Sequence, residues 1–320
     1  KLIEAIIGKL ERENGITAKA SQIIVTPGAK WALYAALAAI LDPGDEVITL
    51  DPSWVSYGPM IALNDGVPVP VDVDPTDGYR ITAAALRSGL SPRTKALIVN
   101  SPNNPTGRVL TREETDAVVR FAVEHDLYVI SDEIYEHLLF DGRAHTSLAA
   151  EPGMAERTLI VNGFSKAYAM TGFRIGYACG PAELIEAMMK IHQYSMLCAS
   201  IISQEAAIEA IEHGEADTVE MREQYKLRRN FIVKAFNDLG LPCHLPRGSF
   251  YAFPCIRSTG LSSKDFAFRL LQEQKVACVP GGAFGPSGEG YLRCCFATAI
   301  DQIQVAADRI GRFVTKVRRG

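Results

Sequence analysis

The sequence predicts an α/β fold: a large three-layer α/β/α domain on a mainly parallel sheet, followed by a smaller α+β domain at the carboxyl end. Three observations carry this expectation. The 320 residues exceed the size at which one hydrophobic core keeps growing. Short β-branched runs alternate with helical stretches through the first half, as in a parallel sheet covered on both faces. A polar-faced helical stretch near residue 225 then leads into a Pro- and Gly-punctuated segment and further short α and β pieces. The boundary is set there, giving domains 1–225 and 226–320.

The chain opens on Lys1 with Leu2, Ile3, Ile6, Ile7 and Leu10 already at helical spacing, so it is expected to begin inside a helix with sequence upstream. Ile23–Thr26, Glu46–Leu50, Ala96–Asn100, Tyr128–Ser131 and Thr158–Asn162 are short, apolar and β-branched, and read as buried strands. Helices are expected between them, at Lys30–Leu41 and Arg112–His125, and a long one at Glu215–Leu239. In open parallel sheets ligands bind beyond the carboxyl ends of the strands, so functional side chains are expected just after each strand.

A net charge of -4 and a pI near 5.9 offer no basic field for nucleic acid or an anionic membrane, which leaves a small molecule as the expected partner. The seven cysteines, Cys179, Cys198, Cys243, Cys255, Cys278, Cys294 and Cys295, show no CxxC pair and no metal-ligand spacing. They read as free thiols in a reducing cytoplasm. No apolar run reaches the roughly 18 to 20 residues that span a bilayer, and no signal peptide opens the chain, so a soluble cytoplasmic protein without a metal is expected.

Lys166 and Arg174 are the only charged side chains in the twenty residues VNGFSKAYAMTGFRIGYACG. A lone lysine is usually solvated. In apolar surroundings its amine loses basicity and becomes a nucleophile toward an aldehyde. An aldehyde cofactor that stabilises carbanions needs an acid at its pyridine nitrogen. Asp132, which follows the strand LYVI in SDEIYEHLLF, is the candidate, with a helix cap or strand-end salt bridge as the alternative. In IIVTPGAKWALYAALAAIL a strand, a glycine turn and a helix start follow in the order of an anion cradle, so the amides of Gly28, Ala29 and Lys30 could bind a phosphate and Arg174 could add a charged anchor. SPNNPTG reads as a tight turn from which Asn104 could present its amide, and Trp54 in LDPSWVSYG as either core or a stacking residue.

In this order and at these separations, PGAK, SPNNPTG, SDEIY and SKAYAMTGFRIG, with YLRCCFAT near the end, resemble the class I aminotransferases of the fold-type I pyridoxal-phosphate superfamily. The resemblance covers nearly the whole chain. It implies pyridoxal 5'-phosphate as cofactor, Lys166 as the lysine that holds it and shuttles a proton, and Asp132 as the partner of the pyridine nitrogen. It further implies Tyr135 and Asn104 as partners of the ring's phenolic oxygen, Trp54 as the stacking residue, and Arg174 with Gly28, Ala29 and Lys30 as the phosphate site. Arg293 is similar to the family arginine that grips the substrate α-carboxylate as a bidentate fork. Ping-pong transfer of an amino group to a 2-oxo acid, a homodimer, and cis peptide bonds at Asp51-Pro52 and Asn104-Pro105 are also implied.

Relatives carry several tens of residues before the point at which this chain opens, including a segment that closes over the substrate and a tyrosine that reaches the neighbouring subunit's phosphate. Gly163 stands where many relatives place a phosphate-binding Ser. The amino-terminal half looks most like bacterial aspartate aminotransferases with Lys in the phosphate turn, so Lys30 favours an acidic substrate. From IHQYSMLCAS onward the chain looks similar to N-acetyl-diaminopimelate aminotransferases. Aspartate or glutamate is therefore expected first, with N-acetyl-diaminopimelate or an aromatic amino acid second. A β-lyase on the same fold ranks behind these, and a non-catalytic relative last.

Overall fold

The computed structural model of the chain describes residues 1–319; Gly320, the last residue of the second expected domain, lies outside them. The strands of the main sheet are β1 (Ile23–Thr26), β2 (Glu46–Asp51), β3 (Val67–Asp72), β4 (Thr94–Asn100), β5 (Tyr128–Asp132), β6 (Thr158–Gly163) and β7 (Gly176–Cys179). They lie in the order β1-β7-β6-β5-β4-β2-β3. The run β3-β2-β4-β5-β6 is parallel throughout, and β7 is antiparallel to both β6 and β1. The sheet is therefore mainly parallel, as expected. The carboxyl ends of β1, β2, β4, β5 and β6 share one edge with the amino end of β7.

The helices are α1 (Leu2–Lys9), α2 (Ala29–Ile40), α3 (Tyr57–Ala62), α4 (Ala83–Ser88), α5 (Arg112–Glu124), α6 (Ala182–Ser195), α7 (Ile201–His213), α8 (Glu215–Asp238), α9 (Ser263–Gln274) and α10 (Ile300–Arg318). Both faces of the sheet are covered because successive strand residues alternate sides and both sets are apolar. Along β4, Ala96 and Ile98 pack with α2 and α6 on one face, whereas Leu97 and Val99 pack with α4 and α5 on the other. Where β6, β7 and β1 meet, α1 and α7 cover the second face through Leu2, Ile6 and Ala207.

A second sheet orders β8 (Tyr251–Ala252), β10 (Leu292–Cys295) and β9 (Val279–Pro280), with β10 central and antiparallel to both. Its core joins Ile232 and Phe236 of α8, Phe266 of α9 and Phe313 of α10 to Tyr135 and Leu138 from the loop after β5. Helix α8 runs unbroken through residue 225. The peptide bonds Asp51-Pro52 and Asn104-Pro105 are cis, and Ser101-Pro102 is cis as well. Among the described residues no helix is long and apolar enough to cross a membrane.

Candidate active site

At the shared edge of the main sheet the loops after β1, β2, β4, β5 and β6 meet Arg174, two residues before β7, and enclose a cavity of about 360 Å³. Ala29, Lys30, Trp54, Asn104, Asp132, Tyr135, Lys166, Arg174 and Arg293 all line it. Loops at the strand ends bring these side chains together, and Arg293 joins them from the second sheet; Gly28, singled out with them, is not among the lining residues but lies against Arg174 Nη2.

Lys166 leaves the loop after β6. Its Nζ sits 5.5 Å from the ring centre of Phe250 and 6.0 Å from that of Tyr135, and among the described residues it has no hydrogen-bond or ion-pair partner. Burial holds its amine below the usual lysine range; Arg293 adds to the shift, and Cys295 and Asp132 oppose it.

Asp132 ends β5 and is buried. Its Oδ2 accepts a 2.6 Å hydrogen bond from the Tyr57 hydroxyl, and its Oδ1 accepts one of 3.3 Å from the Ile134 N–H. Burial pushes this carboxyl up to about 6, while the Tyr57 and Ile134 hydrogen bonds and the Lys166 charge restrain the rise. Burial, reinforced by Asp132, in turn raises the Tyr57 phenol well above its ordinary range, so Tyr57 stays a donor.

The cradle at the start of α2 depends on close backbone approach. Gly28 has φ +87°, and a Cβ there would stand 2.7 Å from Arg174 Nη2. A Cβ on Gly176 would come within 2.6 Å of the Ala29 N, and one on Gly163 within 2.9 Å of the Gly176 Cα. The glycine at 163 therefore matches the tight packing of β6 on β7, which leaves no room for a serine side chain. Ala29 and Lys30 open α2, so their N–H groups have no acceptor within the helix. Arg174, itself at φ +51°, donates from Nη1 to the Thr171 carbonyl at 2.9 Å and keeps Nη2 against Gly28.

Arg293 donates from Nη1 to Asn104 Oδ1 at 3.0 Å, lies 4.5 Å over Tyr251 and 4.8 Å over Phe284, and keeps its Nε buried and unpartnered. Asn104 is fixed through its own N–H, which donates to Asn100 Oδ1 at 2.8 Å, while Asn100 Nδ2 donates to the Asp132 carbonyl at 2.9 Å. Trp54 meets Tyr57 edge-on, and Lys30 Nζ lies 4.9 Å from the Trp54 ring centre. Tyr135 and Tyr251 share a 3.2 Å hydroxyl contact.

Sequence reasoning passed over Tyr57, Asn100, Ser165 and Tyr251, all of which line the cavity. Tyr57 stands three residues after Trp54, where the same loop passes into α3, and Asn100 ends an expected strand, so the strand-end rule could have found both. Tyr251 arrives from 116 residues beyond Tyr135 and carries no local signal.

Comparison with known proteins identifies the family. The family model for aminotransferase class I and II matches residues 1–310. A putative aminotransferase, YugH, of Bacillus subtilis is 48% identical over 92% of this chain and 76% of its own length. An aspartate aminotransferase of Pyrococcus abyssi is 45% identical over 97% of this chain and 80% of its own. The crystal structure of an aromatic aminotransferase from Pyrococcus horikoshii superposes with a TM-score of 0.96 at 44% identity, covering 98% of this chain and 85% of that one. A family match that runs from α1 into α10, on a fold shared with solved aminotransferases, establishes that this chain belongs to aminotransferase class I and II and is an aminotransferase.

Proposed function

We propose that the chain uses pyridoxal 5'-phosphate, held in the 360 Å³ cavity, to move the amino group of an L-amino acid, aspartate or glutamate first, to a 2-oxo acid such as 2-oxoglutarate. Enzymes of this family generally use that cofactor. The observation that carries the reading is one cavity holding both an unpartnered, desolvated lysine amine and a buried acid. The donor set fits the cofactor: open N–H groups at Ala29 and Lys30 and the Arg174 guanidinium suit a phosphate, and Asp132 suits a protonated ring nitrogen. The volume lies within the range of small-molecule sites.

When bound, pyridoxal phosphate supplies an aldehyde for amines and a ring that draws electrons from the substrate α-carbon. The Lys166 amine would hold the aldehyde group and, once displaced by the amine of the substrate, would be free to carry the proton taken from the α-carbon. Asp132, oriented by Tyr57, would keep the ring nitrogen protonated. Tyr135 and Asn104 would donate to the phenolic oxygen, and Trp54 would stack on the ring. Arg293 grips the α-carboxylate, which would satisfy its unpaired Nε. Lys30, stacked on Trp54, is within the same cavity and suits a distal carboxylate. The aromatic lining of Trp54, Tyr57 and Tyr251 supports aromatic donors as the second reading.

The division into 1–225 and 226–320 is proposed on the core that α8, α9 and α10 build around the second sheet, to which Tyr135 and Leu138 of the first part also contribute. Aminotransferase relatives are typically dimeric, and a homodimer is proposed here on the apolar residues left exposed around the end of α6 and the start of α7. Initial rates with L-aspartate and 2-oxoglutarate test the reaction. Parallel double-reciprocal lines are expected for ping-pong transfer. Release of pyruvate from a donor with a leaving group on its β-carbon, without a 2-oxo acid acceptor, would overturn it in favour of β-elimination.

A further inference from the structure

The antiparallel ladder of β9 and β10 sets Leu292 against Pro280 and Arg293 against Val279. One step further, the same register sets Cys294 against Cys278, and their sulfurs are 3.5 Å apart. The Gly281 N–H donates to the Tyr291 carbonyl in this ladder. Hydrogen-bonded and non-hydrogen-bonded pairs alternate along antiparallel strands, which makes Cys278 and Cys294 a non-hydrogen-bonded pair, the class in which facing side chains come closest. Neither thiol has a part in the proposed reaction.

The two differ in access. Cys294 is 5% exposed and packs in the core of the second sheet, whereas Cys278 is half-buried at its margin. A small reagent therefore meets Cys278 first. The contact with Cys278 and burial both hold the Cys294 thiol well above its ordinary range, so it rests protonated.

We propose that Cys278 and Cys294 form a dithiol that converts reversibly to a cross-strand disulfide by exchange with a small disulfide of the glutathione class. The Cys278 thiolate attacks one sulfur of the small disulfide, forming a mixed disulfide and expelling one thiolate. Cys294 then loses its proton to solvent and attacks the Cys278 sulfur, which forms the internal bond and expels the second thiolate. The two cysteines give up two electrons and two protons, and the small disulfide is reduced to two thiols. The sulfurs must close from 3.5 Å to about 2.05 Å, a movement within reach of side-chain adjustment in such a pair.

The bond would tie off the segment between them. That segment carries Phe284 against Arg293, the Phe284 carbonyl that accepts from the Ser53 N–H, and Ser287, whose N–H donates to Asp51. Oxidation is thus expected to hold the loop that braces Arg293 more firmly.

The test exposes the full chain, in a Cys295→Ser background that removes the neighbouring thiol, to oxidised glutathione. Remaining thiols are blocked, and the unreduced digest is read by mass spectrometry. A peptide bearing Cys278 bonded to one bearing Cys294, released by dithiothreitol and absent when Cys278→Ser is added, is expected. Folded protein in which Cys278 carries only glutathione, or does not react, would overturn the proposal. The thermal midpoint should rise on oxidation in the Cys295→Ser protein and stay fixed with Cys278→Ser added; a link formed without that rise would overturn the bracing of the loop.

Discussion

Asp132 is costly to the empty protein. Its folded-state carboxyl titrates near 6 against an ordinary 3.8, so the folded chain binds a proton more tightly than the unfolded one. Stability from this group is present at low pH and is lost as pH rises from about 4 through about 6, a term of ~3 kcal/mol at roughly 1.4 kcal/mol per unit. Asp132→Asn is therefore expected to raise the melting temperature of the cofactor-free protein at pH 7.5, as read by calorimetry, and to weaken cofactor binding; an unchanged melting temperature would contradict the burial argument. Tyr57→Phe removes the 2.6 Å hydrogen bond that restrains this carboxyl. The acid limb of the rate profile should then move to higher pH, with cofactor affinity falling about 10-fold or more for a lost hydrogen bond to a charged group; a superimposable profile would remove Tyr57 from the account. Lys166, Asp132 and Gly28 were legible because each lies at or just past a strand end and breaks a local pattern. Tyr251 and Phe250 were not, since only folding across 116 residues brings Tyr251 to Tyr135, and Phe250 likewise reaches Lys166 from far along the chain.

Helix α1 is held to the main sheet by a buried polar knot. Lys9 donates to Glu136, Asn14 Nδ2 donates to Glu136 Oε2 at 2.8 Å, and Asn162 Nδ2 donates to Glu136 Oε1 at 2.6 Å. Burial alone would raise the Glu136 carboxyl, yet the Lys9 ammonium, followed by His137 and His145, holds it at about 2. The knot's contribution is thus complete above the ordinary glutamate range and is lost as pH falls toward 2. Lys9→Met strands a buried carboxylate and should cost ~3–5 kcal/mol in urea unfolding; a loss under 1 kcal/mol would show the pair to be dispensable. At the start of α2, Gly28→Ala forces a Cβ against Arg174 Nη2 and into positive φ. Weaker binding of pyridoxal phosphate with the fold retained is expected by titration, and unchanged binding would argue against the cradle. The buried strands β2, β4, β5 and β6 were legible from their apolar β-branched runs, to within two residues at each end. The edge strand β3, with the sequence VPVPVD, was not, because alternating prolines at an exposed edge mimic a loop. Nor was β7, whose GYAC is four residues long and joins the sheet antiparallel.

At the scale of the whole molecule, the surface around the end of α6 and the start of α7 exposes Tyr194 (87%), Leu197 (73%) and Ile202 (74%), a grouping that single subunits seldom leave open. The homodimer proposed above would cover them. Sedimentation should give a dimer that Ile202→Lys weakens, and a monomer at all concentrations would contradict it. The mainly parallel sheet followed from the alternation of strands and helices, whereas the second sheet was expected only as short β pieces of an α+β domain, since two of its strands are only two residues long. The central claim joins these scales: Lys166 holds pyridoxal phosphate and transfers amino groups through it. Its most direct test is the absorbance spectrum of purified protein with pyridoxal phosphate, before and after L-aspartate and then 2-oxoglutarate. The wild-type chain should show the long-wavelength band of lysine-bound cofactor, bleached by aspartate and restored by the oxo acid, and Lys166→Ala should show none. A band of equal strength in Lys166→Ala, or none in the folded wild type, would contradict the account.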